Sequence, residues 1–302
     1  MCKNVLKVLV SLGIVLALNS VGVEGAKKGS TGAQVLKLSV GARPAAMSEA
    51  FGALADDVTA IYWNPAGLAN LKEKEFCFMH SDWLKEINYG FAGYAQPLAN
   101  DRALGLSMMY LGSGDMKKLN TNGIEEGDFE AKDMVVTAAY GWKLSEELSL
   151  GASIKAISLK IDNEKANSFA VDVGFLSRTP LENLLIGGAL QNLGSKVKFI
   201  NEGDNLPLNV KLGTAYKAMD DRLILLLDIN KPVDNDLRLN LGTEYWLTST
   251  VALRGGYNSG IDEGSGVTLG IGFALRTLQL DYAYVPYGDL GKTHRYCLLV
   301  RF

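Results

Sequence analysis

The stretch that decides the fold lies near the C-terminus: Leu278-Gln279-Leu280-Asp281-Tyr282-Ala283-Tyr284. Large apolar side chains occupy every second position, and Gln, Asp and Ala occupy the positions between them. Successive side chains of a β-strand point to opposite faces, so this repeat of two predicts a strand with one apolar and one polar face. The same repeat recurs in residues 169–175, 208–216, 237–241 and 267–274.

Alternation of this kind dominates from residue 75 onward and predicts about fourteen strands. They cover residues 75–81, 87–96, 103–111, 133–143, 148–157, 168–177, 184–190, 207–216, 223–230, 237–246, 251–258, 266–274, 278–285 and 294–302. Every second connector is tight, whereas most of the others are longer and polar, especially 112–132, 158–167 and 191–206. Short turns on one side and long loops on the other are typical of outer-membrane barrels.

The two faces of these strands favour a barrel in lipid over a soluble sandwich. The polar faces are rich in Gly and Ala, as expected for a crowded interior, and the apolar faces often end in aromatic residues, as interface girdles do. These aromatic residues are Tyr89, Tyr110, Tyr140, Trp142, Tyr216, Tyr245 and Tyr284. Because an open sheet edge would leave unpaired backbone groups in hydrocarbon, the sheet must close. We therefore predict an all-β fold, a transmembrane antiparallel β-barrel of about 14 strands over residues 74–302, in contact with outer-membrane lipid.

Charged residues on the polar faces would then lie in the lumen of this barrel. They are Lys155, Asp172, Lys211, Asp228, Arg238, Glu244, Arg254, Asp281 and Arg301. Their mixed signs favour a network of internal ion pairs over a selectivity filter, which is the alternative role for charges in a lumen.

The C-terminal strand carries Tyr296, Leu298, Val300 and Phe302 on one face, and the chain stops on the aromatic residue. This ending is similar to the terminal strand by which bacterial outer-membrane barrels are recognised and inserted. We therefore predict that these four residues form an assembly signal.

Residues 26–73 do not alternate, and they predict a short N-terminal plug, or hatch, inside the lumen. Pro44 starts an alanine-rich run suited to a short helix, and Asn64-Pro65 favours an extended or turn conformation before the proline. The candidate plug and gating residues are Arg43, Asp56, Asp57, Trp63, Asn64, Pro65, Ala66 and Gly67. The Asn-Pro-Ala-Gly motif could gate a passage or simply seat the plug. The charged residues could contact a substrate, but anchoring the plug to the wall is the simpler interpretation.

The run from Gly41 to Ala69 closely resembles the N-terminal signature of the PorV/PorQ family, relatives of the FadL long-chain fatty-acid channels. The resemblance rests on Gly41-Ala42-Arg43, Ala46-Met47, Ala50-Phe51, Leu54-Ala55-Asp56-Asp57 and Ile61-Tyr62-Trp63-Asn64-Pro65-Ala66-Gly67-Leu68. FadL-type channels carry an Asn-Pro-Ala element in their plug, which Asn64-Pro65-Ala66 matches. The rest of the chain agrees in architecture, since the family barrel has fourteen strands.

The resemblance implies one of two functions. PorV-like proteins act in type IX secretion, where they hold secreted substrate proteins by their C-terminal signal domains and pass them to the surface-attachment machinery. FadL-like proteins admit fatty acids or other hydrophobic small molecules. The predicted outer loops lack long apolar tracts, which favours protein handling. The loop 112–132 is then the candidate for contacts with other secretion-system proteins, although it could equally be a solvated loop.

The N-terminus is typical of a secretory signal peptide. Lys3 and Lys7 precede the apolar run Val8–Leu18, and small residues follow, which predicts cleavage near residue 25 and export to the bacterial outer membrane. An uncleaved N-terminal helix is the alternative. Removing Lys3, Lys7 and Glu24 from the 30 basic and 33 acidic residues leaves 28 and 32, a net charge of −4. This charge argues against nucleic acid as a partner, because phosphate binding needs a basic surface.

Few residues of the predicted mature chain are candidates for a disulfide, a metal site or a catalytic site. Cys77 and Cys297 fall on the first and last strands, which closure makes neighbours, so a disulfide between them is a hypothesis. His80 and His294 are the only histidines, too few for a metal cluster of the usual kind, and no oriented Ser–His arrangement is identifiable. We therefore expect no enzymatic activity and no cofactor.

Overall fold

The computed structural model describes residues 28–83, 87–260 and 265–302. The predicted signal peptide, residues 1–25, lies outside these ranges. Within them, fourteen antiparallel strands close into a barrel. These strands are β1 (Glu75–Asp82), β2 (Asn88–Leu98), β3 (Arg102–Gly112), β6 (Ala131–Ser145), β7 (Leu148–Ile161), β8 (Glu164–Arg178), β9 (Leu184–Gly194), β12 (Asn209–Ala218), β13 (Leu223–Pro232), β14 (Arg238–Trp246), β15 (Val251–Asn258), β16 (Val267–Ala274), β17 (Leu278–Pro286) and β18 (Lys292–Arg301).

Each barrel strand pairs with its neighbours along the chain, and β1 pairs with β18 to close the sheet. At this closure Glu75 lies opposite Arg301 and Asp82 opposite His294. The prediction of a fourteen-stranded antiparallel barrel is therefore confirmed. We call the end of the barrel that holds Glu75 and Arg301 the turn rim, because its connectors are short, and we call the opposite end the loop rim.

Two of the predicted long loops contain short hairpins at the loop rim. Between β3 and β6, β4 (Met116–Leu119) pairs with β5 (Glu125–Phe129). Between β9 and β12, β10 (Val197–Lys198) pairs with β11 (Gly203–Asp204).

The prediction of a third long loop at 158–167 is wrong. β7 continues to Ile161 and β8 begins at Glu164, so only a two-residue connection remains, with Asp162 in the left-handed region (φ 54°). The outward side chains of these strand ends are polar or charged, for example Lys160 and Asn167, so the apolar repeat that marks strands lower in the barrel is missing here.

The two faces of the barrel are inverted relative to a soluble sheet, as predicted. Large apolar side chains point outward, and Leu106 and Phe169 keep 58% and 61% of their surface exposed. Charged side chains such as Lys155, Asp228 and Glu244 point inward and are buried. This arrangement places the apolar band where lipid would contact it.

Tyr89 does not belong to the outer aromatic girdle, contrary to expectation. It is fully buried on the inner face of β2, and its hydroxyl donates to the carbonyl oxygen of Leu38 at 3.1 Å. Phe91 is also buried on this face. The strand therefore presents apolar residues to the interior, because the chain that fills the barrel is itself apolar at this point.

Residues 28–73, which we call the interior segment, bond to inward-facing side chains of the barrel wall such as Asp228 and Glu244. They contain two 3-10 helices, Gln34–Lys37 and Pro65–Asn70, and two short α-helices, Ala42–Ala46 and Ala60–Trp63. Nearly all side chains from Val40 to Ala55 are buried, and the segment bonds to strands on several sides of the barrel. In the described part of the chain, no helix is long and apolar enough to cross a membrane.

Candidate functional site

The Asn-Pro-Ala-Gly motif joins the interior segment to the barrel wall through Asn64. The Oδ1 atom of Asn64 accepts from the backbone N–H of Ala66 at 3.2 Å and caps the helix that starts at Pro65. The Nδ2 group donates to the carbonyl oxygens of Gly52 and Phe175, at 2.8 and 2.9 Å. Because Phe175 belongs to β8, one buried amide holds together a helix, a second part of the segment and the wall.

The motif fits the wall because three wall residues lack side chains. Gly141, Gly151 and Gly174 lie directly opposite one another on β6, β7 and β8, and they form a trough that we call the glycine trough. A Cβ atom on Gly151 would lie 2.2 Å from the Ala66 nitrogen. A Cβ atom on Gly174 would lie 2.1 Å from Oδ1 of Asn64.

Gly67 is required by packing within the segment itself. A Cβ atom at this position would lie 1.9 Å from the carbonyl oxygen of Ala55, a backbone atom that cannot easily move. The last two residues of the motif therefore allow close approach on both sides, Ala66 toward the wall and Gly67 toward the segment. The geometry corresponds to a tightly seated turn.

Trp63, directly before the motif, is held through its indole N–H and through the face of its ring. Its Nε1 donates to the carbonyl oxygen of Val40 at 2.9 Å. The ammonium of Lys211, on β12, lies 4.4 Å from the ring centroid, a distance at which a cation is attracted to an aromatic face.

Arg43 lies at the centre of a buried ion network. It bonds Glu244 on β14 through Nε and Nη2, and its Nη1 contacts Asp56 and Asp57 of the interior segment at 2.5 and 3.2 Å. Arg254, on β15, extends the network from Glu244 at 2.6 Å to Asp281 on β17 at 2.7 Å. The network therefore connects the segment to three wall strands.

Two further pairs of predicted lumen charges lie on other wall strands, one on β7 and β8 and one on β12 and β13. Lys155 contacts Asp172 at 2.7 Å. Lys211 lies 3.5 Å from Asp228, whose Oδ2 atom accepts from the backbone N–H groups of Phe51 and Gly52 at 3.0 and 2.8 Å. Asp228 therefore binds the interior segment as well as Lys211.

Two of the nine predicted lumen charges lie away from these clusters. Arg301 bonds Glu75 at 2.9 Å, and the other oxygen of Glu75 accepts from the backbone N–H of Val58 at 2.7 Å. Arg238 is half-buried beside Gly260, and within the described residues it joins none of these ion pairs.

At the loop rim, Asp234 attaches the interior segment to the barrel, a contact that was not predicted from the sequence. Thr31 and Lys37 both donate to Oδ2 of Asp234, at 2.6 and 2.5 Å, in the connector between β13 and β14. Burial raises the pKa of Asp234, but the bonds from Lys37 and Thr31 outweigh it and hold the pKa below its usual value. Asp234 interrupts no alternating pattern, so nothing in the sequence marked it.

Arg295, on β18, is a second residue that attaches the interior segment to the wall and was not predicted from the sequence. Its guanidinium is buried and donates to the carbonyl oxygen of Ser39 at 2.9 Å and to the hydroxyl of Tyr287 at 3.2 Å. Arg295 alternates with the outward residues Tyr296 and His294, so the repeat of two could have placed it in the lumen.

The four residues of the predicted assembly signal line the outer surface of the closing strand and its end. Tyr296 and Phe302 are exposed, and Leu298 and Val300 are half-exposed. The backbone of Phe302 exchanges two hydrogen bonds with Lys74, so the last residue completes the pairing with the start of β1.

Each rim also carries a feature accessible from outside the barrel, a pocket at the turn rim and a hairpin at the loop rim. A pocket of about 540 Å³ opens at the turn rim between the interior segment and the wall, with Asp56, Leu71, Arg178, Lys217 and Arg301 in its lining. At the loop rim, the β4–β5 hairpin projects with most of its side chains exposed.

A family model described as "Type IX secretion system protein PorV" matches residues 24–233. This match covers more than half of the 302 residues and includes the interior segment and the strands through β13. The chain belongs to the PorV family. A barrel of this family lies in the bacterial outer membrane, where short turns face the periplasm and longer loops face the exterior.

Solved structures similar to this PorV-family chain share its fold at low sequence identity. The toluene transporter TbuX of Ralstonia pickettii is 15% identical with a TM-score of 0.64, over 87% of this chain and 98% of that one. The toluene transporter TodX of Pseudomonas putida is 13% identical with a TM-score of 0.60, over 87% and 96%. A FadL homologue of Pseudomonas aeruginosa is 13% identical with a TM-score of 0.59, over 88% and 98%. Among curated protein sequences, none matches this chain.

Proposed function

We propose that this barrel acts in type IX secretion by binding secreted proteins at its loop rim, through their C-terminal signal domains, and passing them to the surface-attachment machinery. Membership of the PorV family supports this proposal. In this role the lumen need not conduct anything. The barrel supplies a rigid, membrane-anchored base for a protein-binding surface.

The observation that carries the proposal is the way the interior segment is fixed. Arg43 joins Asp56 and Asp57 to Glu244, and Asp228 binds two backbone N–H groups of the segment. Separating a buried charge from its partner costs about 3–5 kcal/mol. Opening a passage would break several such contacts together, so a permanently closed interior is consistent with a function at the surface.

The β4–β5 hairpin is the candidate protein-binding element. Lys117 pairs with Glu125 across the hairpin at 3.0 Å, and Lys118 reaches Asp162 on the next loop at 2.5 Å, so the hairpin is braced. Leu119 and Ile124 remain exposed at its tip. Exposed apolar side chains on a charged, braced element suit contact with another protein.

A crosslinking pull-down from outer membranes tests the proposal. The tagged barrel is crosslinked in intact cells, purified, and its partners are identified by mass. Recovery of a large translocon barrel, or of secreted proteins that share one C-terminal domain, is the expected result. A purification without protein partners would count against the secretion role.

The alternative function is passage of fatty acids or other hydrophobic small molecules. The pocket at the turn rim favours it, because it reaches Asp56 and Leu71 of the interior segment, and the fold is that of the hydrocarbon transporters named above. Extraction of lipid and hydrocarbon from the purified barrel would test it. Recovery of one apolar compound in stoichiometric amount, without protein partners, would favour this function over secretion.

We also propose that the chain is not an enzyme. His80 contacts Asp82, and His294 contacts the hydroxyl of Tyr282, both on the outer face near the loop rim. Within the described residues, no group of three His, Cys, Asp or Glu side chains is placed to hold a metal ion. A lipid-hydrolysis assay on the purified protein tests this proposal, because turnover that disappears in His80→Ala or His294→Ala would contradict it.

A further inference from the structure

Cys77 and Cys297 lie side by side on the inner face of the barrel. Their Sγ atoms are 2.8 Å apart, and both side chains are buried, with 0% and 6% of their surface exposed. A disulfide bond is about 2.05 Å long, so the two sulfur atoms need to approach by only about 0.8 Å to bond. They are the only cysteines in the described part of the chain.

The two cysteines lie on the first and the last strand of the barrel, where the sheet closes. Cys297 lies opposite Met79, and Cys77 lies opposite Leu299, so the two cysteines are diagonal neighbours across β1 and β18. All other neighbouring strands of the barrel are consecutive barrel strands along the chain and are joined by a connector. β1 and β18 are the two ends of the barrel sequence and are held together by non-covalent contacts.

We propose that Cys77 and Cys297 form a disulfide that covalently closes the barrel at this seam. The oxidant is a thiol–disulfide oxidoreductase of the periplasm, in its disulfide form. The thiolate of one cysteine attacks that disulfide, which gives a mixed disulfide and releases one enzyme thiolate. The thiolate of the second cysteine then attacks the cysteine sulfur of the mixed disulfide, which forms the Sγ–Sγ bond and releases the enzyme as a dithiol. The barrel loses two thiol hydrogens, and the enzyme gains two electrons and two protons.

Access to the sulfur atoms fixes when this reaction occurs. Thiol–disulfide exchange requires the attacking thiolate to reach a sulfur of the oxidant. In the folded barrel the interior segment covers the inner face of β1, where the backbone N–H of Gly41 lies 3.1 Å from Sδ of Met79. The exchange therefore takes place during assembly, before the interior segment has packed against the seam.

Thiol labelling of the native protein tests the proposal without any variant. The barrel is isolated from outer membranes and denatured with N-ethylmaleimide, with or without prior reduction, and the peptides are identified by mass. Cys77 and Cys297 should be unlabelled without reduction and joined in one crosslinked peptide, and both should be labelled after reduction. Full labelling of both cysteines without reduction would overturn the proposal.

Serine variants separate a crosslink from simple packing of two thiols. A disulfide is lost when either partner is replaced, so Cys77→Ser, Cys297→Ser and the double variant should lower the temperature of unfolding in detergent by the same amount. Reduction separates the two cases, because a reductant should lower the unfolding temperature of the native barrel and leave that of the double variant unchanged. A native barrel whose unfolding temperature does not change on reduction would contradict the crosslink. If the variants fail to assemble, the labelling of the native protein still decides the question.

Discussion

Arg43 and Glu244 are separated by 201 residues in the sequence and share two hydrogen bonds, Nε to Oε2 at 2.7 Å and Nη2 to Oε1 at 2.9 Å. This paired geometry fixes the orientation of the guanidinium as well as its position. It leaves the remaining nitrogen, Nη1, pointed at Asp56 and Asp57. One side chain therefore ties two parts of the interior segment to the wall of the barrel.

Replacing Arg43 with glutamine should loosen the interior segment. The change leaves Glu244 with Arg254 and the indole N–H of Trp246. It also removes the cationic partner of the buried Asp57, and such losses cost about 3–5 kcal/mol. Limited proteolysis should then cut the segment at least tenfold faster than in the unmodified barrel. Arg276→Gln, an exposed turn residue, is the control and should leave the rate unchanged.

Gly151→Ala should prevent the Asn-Pro-Ala-Gly motif from seating. The added methyl group would lie 2.2 Å from the Ala66 nitrogen and 2.2 Å from the Pro65 carbonyl carbon, both backbone atoms. Overpacking of this kind costs typically about 1–3 kcal/mol. The midpoint of unfolding in urea should fall accordingly.

The matched control for this change is Gly90→Ala, also within a barrel strand. A methyl group there would meet only the carbonyl oxygen of Met79, at 3.7 Å, which is ordinary contact. Equal effects of the two substitutions would mean that loss of glycine itself, rather than contact with the interior segment, explains the result at Gly151.

Asn64→Ala should destabilise the folded barrel by several kcal/mol. It removes the cap on Ala66 and the amide hydrogen bonds to the carbonyl oxygens of Gly52 and Phe175, and a buried polar group that loses its partner costs about 1–3 kcal/mol. Asn163→Ala, in the exposed connection at the loop rim, provides the comparison. A change in unfolding free energy no larger than that of the control would show that Asn64 does not hold the segment.

Deleting the β4–β5 hairpin should separate folding from partner binding. The backbone N–H of Ser113 donates to the carbonyl oxygen of Ala131 at 3.0 Å, so the two ends of the hairpin lie close together. A short turn can therefore replace residues 114–130. The shortened barrel should still reach the outer membrane and show heat-modifiable migration. Its recovery of secreted proteins in the pull-down should fall at least tenfold, whereas unchanged recovery would place the binding surface elsewhere.

The strands could be predicted because alternation is a local property. Tyr282 and Leu280 mark an outward face whatever the strand pairs with, and the positions of the connectors follow from where the repeat stops. The ends were harder: strands that rise above the lipid at 158–167 meet water outside, so their repeat disappears. Tyr89 was misplaced because an apolar interior segment reverses the rule on one strand.

The partners inside the barrel could not be predicted from the sequence. Arg43, Asp56 and Asp57 were recognised as candidates for anchoring, but Glu244 as their partner depends on the register of fourteen strands. The role of Asn64 depends on a backbone oxygen of Phe175, which has no signature in the sequence. The glycine trough was visible only as a glycine-rich polar face, because what fills it comes from another part of the chain.

Site-specific photo-crosslinking tests the proposal that the barrel binds secreted proteins at its loop rim. A photoreactive residue replaces Ile124, at the tip of the hairpin, or Met219, at the turn rim; the two are similarly exposed, at 61% and 65%. Crosslinking in living cells should capture secreted proteins or translocon components from position 124 and neither from position 219. Capture from position 219 alone, or from neither position in cells that are actively secreting, would contradict the claim.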